Sequence, residues 1–294
     1  MTSDIRGLRT KEEYIESAMI SYIPSILAIP NKTLFSLDVN KISFREFKIE
    51  KDSVNPSILT REMTEIAVAK ASSQIHSFNP YGKGLKFRKD QLQNSGVNIQ
   101  RMHDDIIREL SIQFDRLALI GDGAGGNNGL ITSNDPNYII QSSVEIPAVS
   151  GDGFNQIQKS KEIAIDLNLK VNDLTASNSL TVYFYGSDLL KFLGKITANQ
   201  ETDVRSHIQR AFVGKQVNFI DISALALPSS LSLGNGIVVV SNDLTELQHA
   251  GLPAITADGV NPEDDYYWAR YFFGSSQIRP RTSGAVIKQP ITFA

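Results

Sequence analysis

The sequence predicts an α+β protein whose outer segments need a partner surface to fold against. Three observations carry this. A long amphipathic helix runs over "VNIQRMHDDIIRELSIQFDRLALI" and stops at the glycine-rich "GDGAGGNNGLI". A compact run of alternating helix-like and strand-like pieces fills residues 150 to 250. Ahead of the helix, residues 41 to 92 are strand-like but hold few large apolar side chains, so they cannot bury a core of their own.

At 294 residues the chain can bury one large core or two modest ones. The absence of cysteine removes disulfides, cysteine nucleophiles, iron–sulfur clusters and thiolate zinc sites together. Stability must therefore come from packing. A formal net charge of -3 argues against a dedicated nucleic-acid binder, whose domain is usually strongly basic. No run of about 18 apolar residues and no basic-then-apolar leader is visible, so a cytosolic chain without a membrane span is expected. His76, His103, His207 and His249 form no HxH or HExxH pair, so no metal site is expected from them.

Taken from the N-terminus, "TKEEYIESAMISY" (residues 10–22) opens on a capping threonine and puts acids in its first turn. Tyr14, Ala18 and Tyr22 stand four apart, which predicts a short amphipathic helix. Pro24 and Pro30 then force an extended exit, so residues 1–40 read as an arm. In "ISFREFKI", Ile42 and Phe44 alternate, as do Phe47 and Ile49, with a switch of face between the pairs that predicts a bulged strand. "TEIAVAKASSQI" and the turn-prone "NPYGKGLKFRK" complete a long polar hairpin, in which Lys83, Lys86, Arg88 and Lys89 cluster. Two strands alone are marginal in water, so this hairpin requires a surface to lie on.

In the long helix Ile99, Met102, Ile106, Leu110, Phe114 and Leu117 recur at steps of three and four, with charged residues between them. Asn94 or Ser95 can cap it, which predicts about 23 residues and roughly 35 Å. It is a spine. Beyond the glycine loop the continuous apolar run from Ile237 to Val240 predicts a strand covered on both faces. Near the C-terminus Tyr266, Trp268 and Phe272 fall on one side of a strand and Tyr267, Tyr271 and Phe273 on the other, so both faces need a neighbour.

The glycines admit several chemical readings. Gly121, Gly123 and Gly126 satisfy GxGxxG, but a dinucleotide fingerprint follows a strand and opens a helix. Here the glycines close a helix, whose negative dipole end repels phosphate. "GDGAGG" also resembles the "GDSGG" of trypsin-like proteases, yet Gly123 stands where the serine would be and has nothing to attack with. Glu263, Asp264 and Asp265 beside Pro262 read as a solvated turn. The remaining reading is conformational: Gly121 or Gly123 turns left-handed to stop the helix, and the other glycines let a second backbone cross closely. The basic cluster reads either as a solvated face or as a charge contact between subunits.

The order of arm, polar hairpin, spine helix, glycine loop, α/β unit and aromatic tail resembles the major capsid proteins of tailed bacteriophages, the Hong Kong 97-type fold. The resemblance rests on Gly121, Asp122 and Gly123 with the close Asn128-Gly129-Leu130-Ile131, and on Gly274 and Pro280 in the tail. It implies an N-terminal arm at 1–40, an extended loop at 41–92, a peripheral domain at 93–149 and 256–294, and an axial domain at 150–255. It also implies a structural rather than catalytic chain that needs no cofactor. Such a chain assembles as pentamers and hexamers into an icosahedral virion capsid in the host bacterial cytoplasm. Scaffolding, portal and decoration proteins are the implied partners, with packaged DNA contacted weakly and without sequence preference. The chain has no long charged helical extension at its N-terminus, so a separate scaffold, or none, is implied. Gly121, Asp122, Gly123, Gly125, Gly126 and Gly129, with Lys83, Lys86, Arg88 and Lys89, become assembly residues. A lysine–asparagine crosslink through Lys83 or Lys86 has no matching asparagine or acid by position. An encapsulin-type cage shares the fold and stays open as an alternative. A soluble α/β hydrolase or nucleotide-using enzyme on residues 150 to 250 would need a nucleophile and base that the sequence does not bring together.

Overall fold

The computed structural model describes residues 35–36, 43–49, 71–77, 80–88, 99–121, 129–135, 137–151, 153–174, 177–195, 203–222, 233–249, 254–261, 266–274 and 276–294. From the arm this includes a two-residue strand, β1 (Phe35–Ser36), and the helix expected at residues 10–22 lies outside the described residues. Strands β2 (Ser43–Ile49) and β3 (Ala71–Ser77) pair antiparallel from Ser43↔Ser77 to Ile49↔Ala71. The bulge expected in β2 is absent, since the ladder passes through Phe44 and Phe47 without a register shift.

After β4 (Pro80–Arg88) comes the spine, α1 (Ile99–Leu119), whose 21 residues span about 31 Å. Its buried stripe is His103, Ile107, Leu110, Phe114 and Leu117, with Ile106 only half-buried beside it. Strands β5 (Tyr138–Ile140) and β6 (Val144–Ile146) precede a second long helix, α2 (Phe154–Leu174). Then follow β7 (Ser179–Tyr185), α3 (Ser187–Leu193), α4 (Val204–Ala211), β8 (Gln216–Asp221) and β9 (Asn235–Ser241). The chain ends through β10 (Thr245–His249), β11 (Ala254–Asn261), β12 (Tyr266–Gly274), β13 (Ser276–Pro280) and β14 (Val286–Phe293).

The largest sheet has the order β5-β14-β9-β7-β8, with β6 continuing along β14. Its central strand β9 carries the Ile237 to Val240 run, and alternate residues enter two different cores. Ile237 and Val239 belong to the buried cluster that holds Ile163, Leu167, Leu189 and Ile208 of α2, α3 and α4, while Val238 and Val240 belong to the one that holds the C-terminal half of α1. Fully burying each such side chain contributes roughly 1.5–3 kcal/mol. Two helix starts are fixed by side chains. Asp203 accepts Ser206 N–H at 2.8 Å to cap α4, and Asn235 of β9 accepts the Asp188 and Leu189 N–H groups at 3.2 and 3.0 Å at the start of α3.

Strand pairing crosses the boundaries expected at 150 and 255. β14 lies between β5 and β9, so the last strand and the two before α2 join the α/β sheet. The reason is burial: Val286, Ile287 and Ile291 fill both cores and need a strand on each side.

A second sheet has the order β11-β12-β4, and a third β1-β10-β13. Both lie on the core that contains α1. Tyr267, Ala269, Tyr271 and Phe273 of β12 are buried there, whereas Tyr266, Trp268 and Phe272 on its other face are half-exposed and Arg270 is exposed.

Candidate functional site

The carbonyls in the last turn of a helix have no partner within it. Two residues beyond α1, Gly121 takes φ 86, and its N–H returns to the Leu117 carbonyl at 3.0 Å. This is the left-handed helix stop, which glycine adopts without the Cβ penalty. Residues 122–128 lie outside the described residues. The chain comes back with Leu130 N–H on the Ala118 carbonyl at 2.9 Å and Ile131 N–H on the Leu119 carbonyl at 2.8 Å. Thr132 Oγ1 donates to the Ile120 carbonyl at 2.6 Å and accepts from Gly129 N–H at 3.1 Å. Every carbonyl from Leu117 to Ile120 is thereby satisfied, three of the four by the returning chain.

Glycine at 129 makes this return possible. A Cβ there would lie 2.3 Å from Ile120 N and C and 2.4 Å from Gly121 N. The close crossing thus occurs within the chain, between the end of the spine and residue 129.

Lys288 of β14 holds the same segment from the other side. Its Nζ donates to the Ile131 carbonyl at 2.8 Å and to that of Ser133, and lies 4.8 Å from the ring centre of Tyr138. Burial lowers its pKa to about 8, with Asp135 pulling the other way. Asp135 is paired with Arg279 of β13 at 3.2 Å, and the Tyr138 hydroxyl donates to the Ile278 carbonyl at 3.0 Å. Burial raises the Tyr138 pKa well above its ordinary value. The loop closure is therefore tied to the spine and to both C-terminal strands.

Of the residues expected to act in assembly, Gly121 and Gly129 form this closure, and Asp122, Gly123, Gly125 and Gly126 lie outside the described residues. The basic residues do not form one patch. Lys83 is opposite Tyr271 on the α1 side and reaches Glu109 at 3.5 Å, an exposed pair worth little on its own. Lys86 and Arg88 are opposite Trp268 and Tyr266 on the outer face, with Lys86 Nζ 4.1 Å from the Tyr266 ring centre. Strand alternation divides what looks like a cluster in sequence, and Lys89 lies outside the described residues. The carboxylates Glu263, Asp264 and Asp265 also lie outside them.

Sequence reasoning missed Lys288, Thr132 and a buried polar join between spine and sheet. His103 of α1 meets Tyr267 through Nε2 at 2.8 Å and Tyr271 through Nδ1. The two tyrosines stand four residues apart on one face of β12, a visible signal, but nothing in the sequence tells which helix turn faces them. Among the described residues no three His, Asp or Glu side chains converge as metal ligands would. The arrangement fixes geometry: it locks the far end of a long helix to the sheets that flank it.

No family model and no curated protein matches the chain. Solved structures do, and they define the class: the fold is that of tailed-phage capsid proteins, the α+β Hong Kong 97 type. The capsid of the Myoviridae phage XM1 aligns with TM-score 0.59 at 13% identity, covering 92% of this chain and 96% of that one. The capsid of an empty GTA particle aligns with TM-score 0.56 at 11% identity, covering 100% of this chain and 94% of that one. A virus-like particle from Pyrococcus furiosus aligns with TM-score 0.54 at 11% identity, covering 94% of this chain and 98% of that one. At these identities the likeness is one of fold.

Proposed function

We propose that the chain is the major capsid subunit of a tailed phage, assembling through pentamers and hexamers into an icosahedral head around double-stranded DNA. The observation that carries this reading is the ladder of β2 and β3, which joins no other sheet among the described residues. A two-stranded ribbon is marginal alone, so its ordering is completed by neighbours, as in obligate assemblies that bury more than about 2,000 Å². In this reading residues 1–40 are the arm, 41–92 the extended loop, and 93–149 and 256–294 the peripheral domain, except that β5, β6 and β14 complete the sheet of the axial domain built on 150–255. Gly121 to Gly129 set the end of the spine, and Lys86 and Arg88 offer charge to a neighbouring copy. Assembly takes place in the host cytoplasm with a separate scaffold and a portal, DNA is held weakly, and no catalysis is assigned. The test is removal of residues 43–77: the shortened chain should remain soluble and folded while forming no particles. Normal particles without the hairpin would remove the basis of the reading.

A second reading, an encapsulin-type cage around protein cargo, is favoured by the likeness to the virus-like particle from Pyrococcus furiosus. Nuclease-protected DNA in particles from the native source supports the phage head; protected protein cargo without DNA supports the cage.

A further inference from the structure

His249 is the last residue of β10 and is 2% exposed. Its ring meets Phe114 of the spine edge-on at 5.7 Å between centres, and neither ring nitrogen has a hydrogen-bond partner among the described residues. Opposite it stand Ser276 on β13 and Ser36 on β1. None of these neighbours is charged. The charged residues of the same sheet, Glu246 and Arg279, are paired with each other in register one step out of phase, and so occupy the opposite face. On α1 the residue after Phe114 is Asp115, which acts on Tyr183 instead. Burial alone lowers the His249 pKa, to about 4. A buried imidazole with two unmet nitrogens costs free energy even when neutral, and a proton on it has nothing to answer its charge. His103 differs, since both its nitrogens meet tyrosine hydroxyls that can accept from a charged ring.

Among the described residues, the pairing that depends on His249 is the shorter of the two in its sheet. β1 holds to β10 through the two register pairs Phe35↔Gln248 and Ser36↔His249, whereas β10 holds to β13 through five. We infer that His249 is an acid latch for β1: its neutral ring seats the end of β10 against the spine, and protonation unseats that end together with β1. The inference concerns the subunit itself and does not depend on shell assembly.

The test is amide exchange on the full-length chain, read at β1 and the end of β10 and corrected for the intrinsic pH dependence of exchange. With a released value of 6.5 and a seated value of about 4, the opening equilibrium rises roughly 70-fold between pH 7.5 and 4.5. In His249→Leu this rise should vanish. An equal rise in the leucine variant would overturn the latch, as would an equal rise in β7 and β9, which would make the histidine a general acid weakness. The His207 pKa on α4 is also lowered, by burial and then by Lys161 and Arg210 against the pull of Asp203, so exchange at α4 separates its contribution. Should the variant fail to fold, the wild type still decides: nuclear magnetic resonance must show the His249 ring neutral at pH 5.5, and a ring already half-protonated near pH 6.5 with β1 in place refutes the inference.

Discussion

Substituting Gly129 by alanine tests the loop closure directly. The new methyl would stand 2.3 Å from Ile120 N and C, whereas carbon contacts are comfortable near 3.5–4.0 Å. Those backbone atoms belong to the end of the spine, so the returning chain must withdraw by about 1 Å or more. The bonds from Leu130 and Ile131 to Ala118 and Leu119, now 2.9 and 2.8 Å, then pass out of range, and the Thr132 bond to Ile120 goes with them. Each buried carbonyl left without a partner costs about 1–3 kcal/mol, so a total of about 3–9 kcal/mol is expected for the three. That is a large part of the 5–15 kcal/mol typical of a folded protein. Urea unfolding followed through Trp268, the single tryptophan, measures it. Gly84→Ala is the control, because a Cβ there meets nothing within 4 Å. If Gly129→Ala lies within about 1 kcal/mol of the control, the close crossing does not hold the spine and the reasoning is wrong.

Lys288→Met should cost about 2 kcal/mol at neutral pH by leaving the Ile131 and Ser133 carbonyls bare, read as a urea midpoint. Because burial holds the folded Lys288 pKa at about 8, below the ordinary 10.5, the folded state loses its proton first. Wild-type stability should therefore gain up to about 3 kcal/mol from this group as pH rises from 8 to 10.5, a slope absent in Lys288→Met. Asn235→Ala removes the acceptor for the Asp188 and Leu189 N–H groups and should lower stability by about 1 kcal/mol, checked by thermal melting. Joining residue 42 to residue 78 should leave the melting temperature within a few degrees of wild type, because β2 and β3 share no sheet with the rest of the described chain.

Local periodicity made much of the fold legible. The three- and four-residue steps of the spine, the apolar run of β9 and the two-faced aromatic β12 all describe how one element meets its neighbours, and period alone encodes that. Gly121 carries the positive φ expected of Gly121 or Gly123, since a helix stop is set by the chain next to it. What escaped notice depends on contacts distant in sequence. Lys288 reads as one polar residue in a buried strand, and its role exists only because Ile131, 157 residues away, presents a carbonyl. The basic cluster was misleading for the opposite reason: closeness in sequence put Lys83 and Lys86 together, and the pleat placed them on opposite faces. The place of β14 beside β9 was not legible, because a C-terminal strand inserted into an earlier sheet leaves no local mark.

The central claim is self-assembly, and electron microscopy of the purified full-length protein across ionic strength and concentration tests it most directly. The account predicts closed shells whose surface resolves into clusters of five and six subunits. A discrete monomer under every condition, stable and folded with the arm and hairpin ordered on its own body, would contradict it.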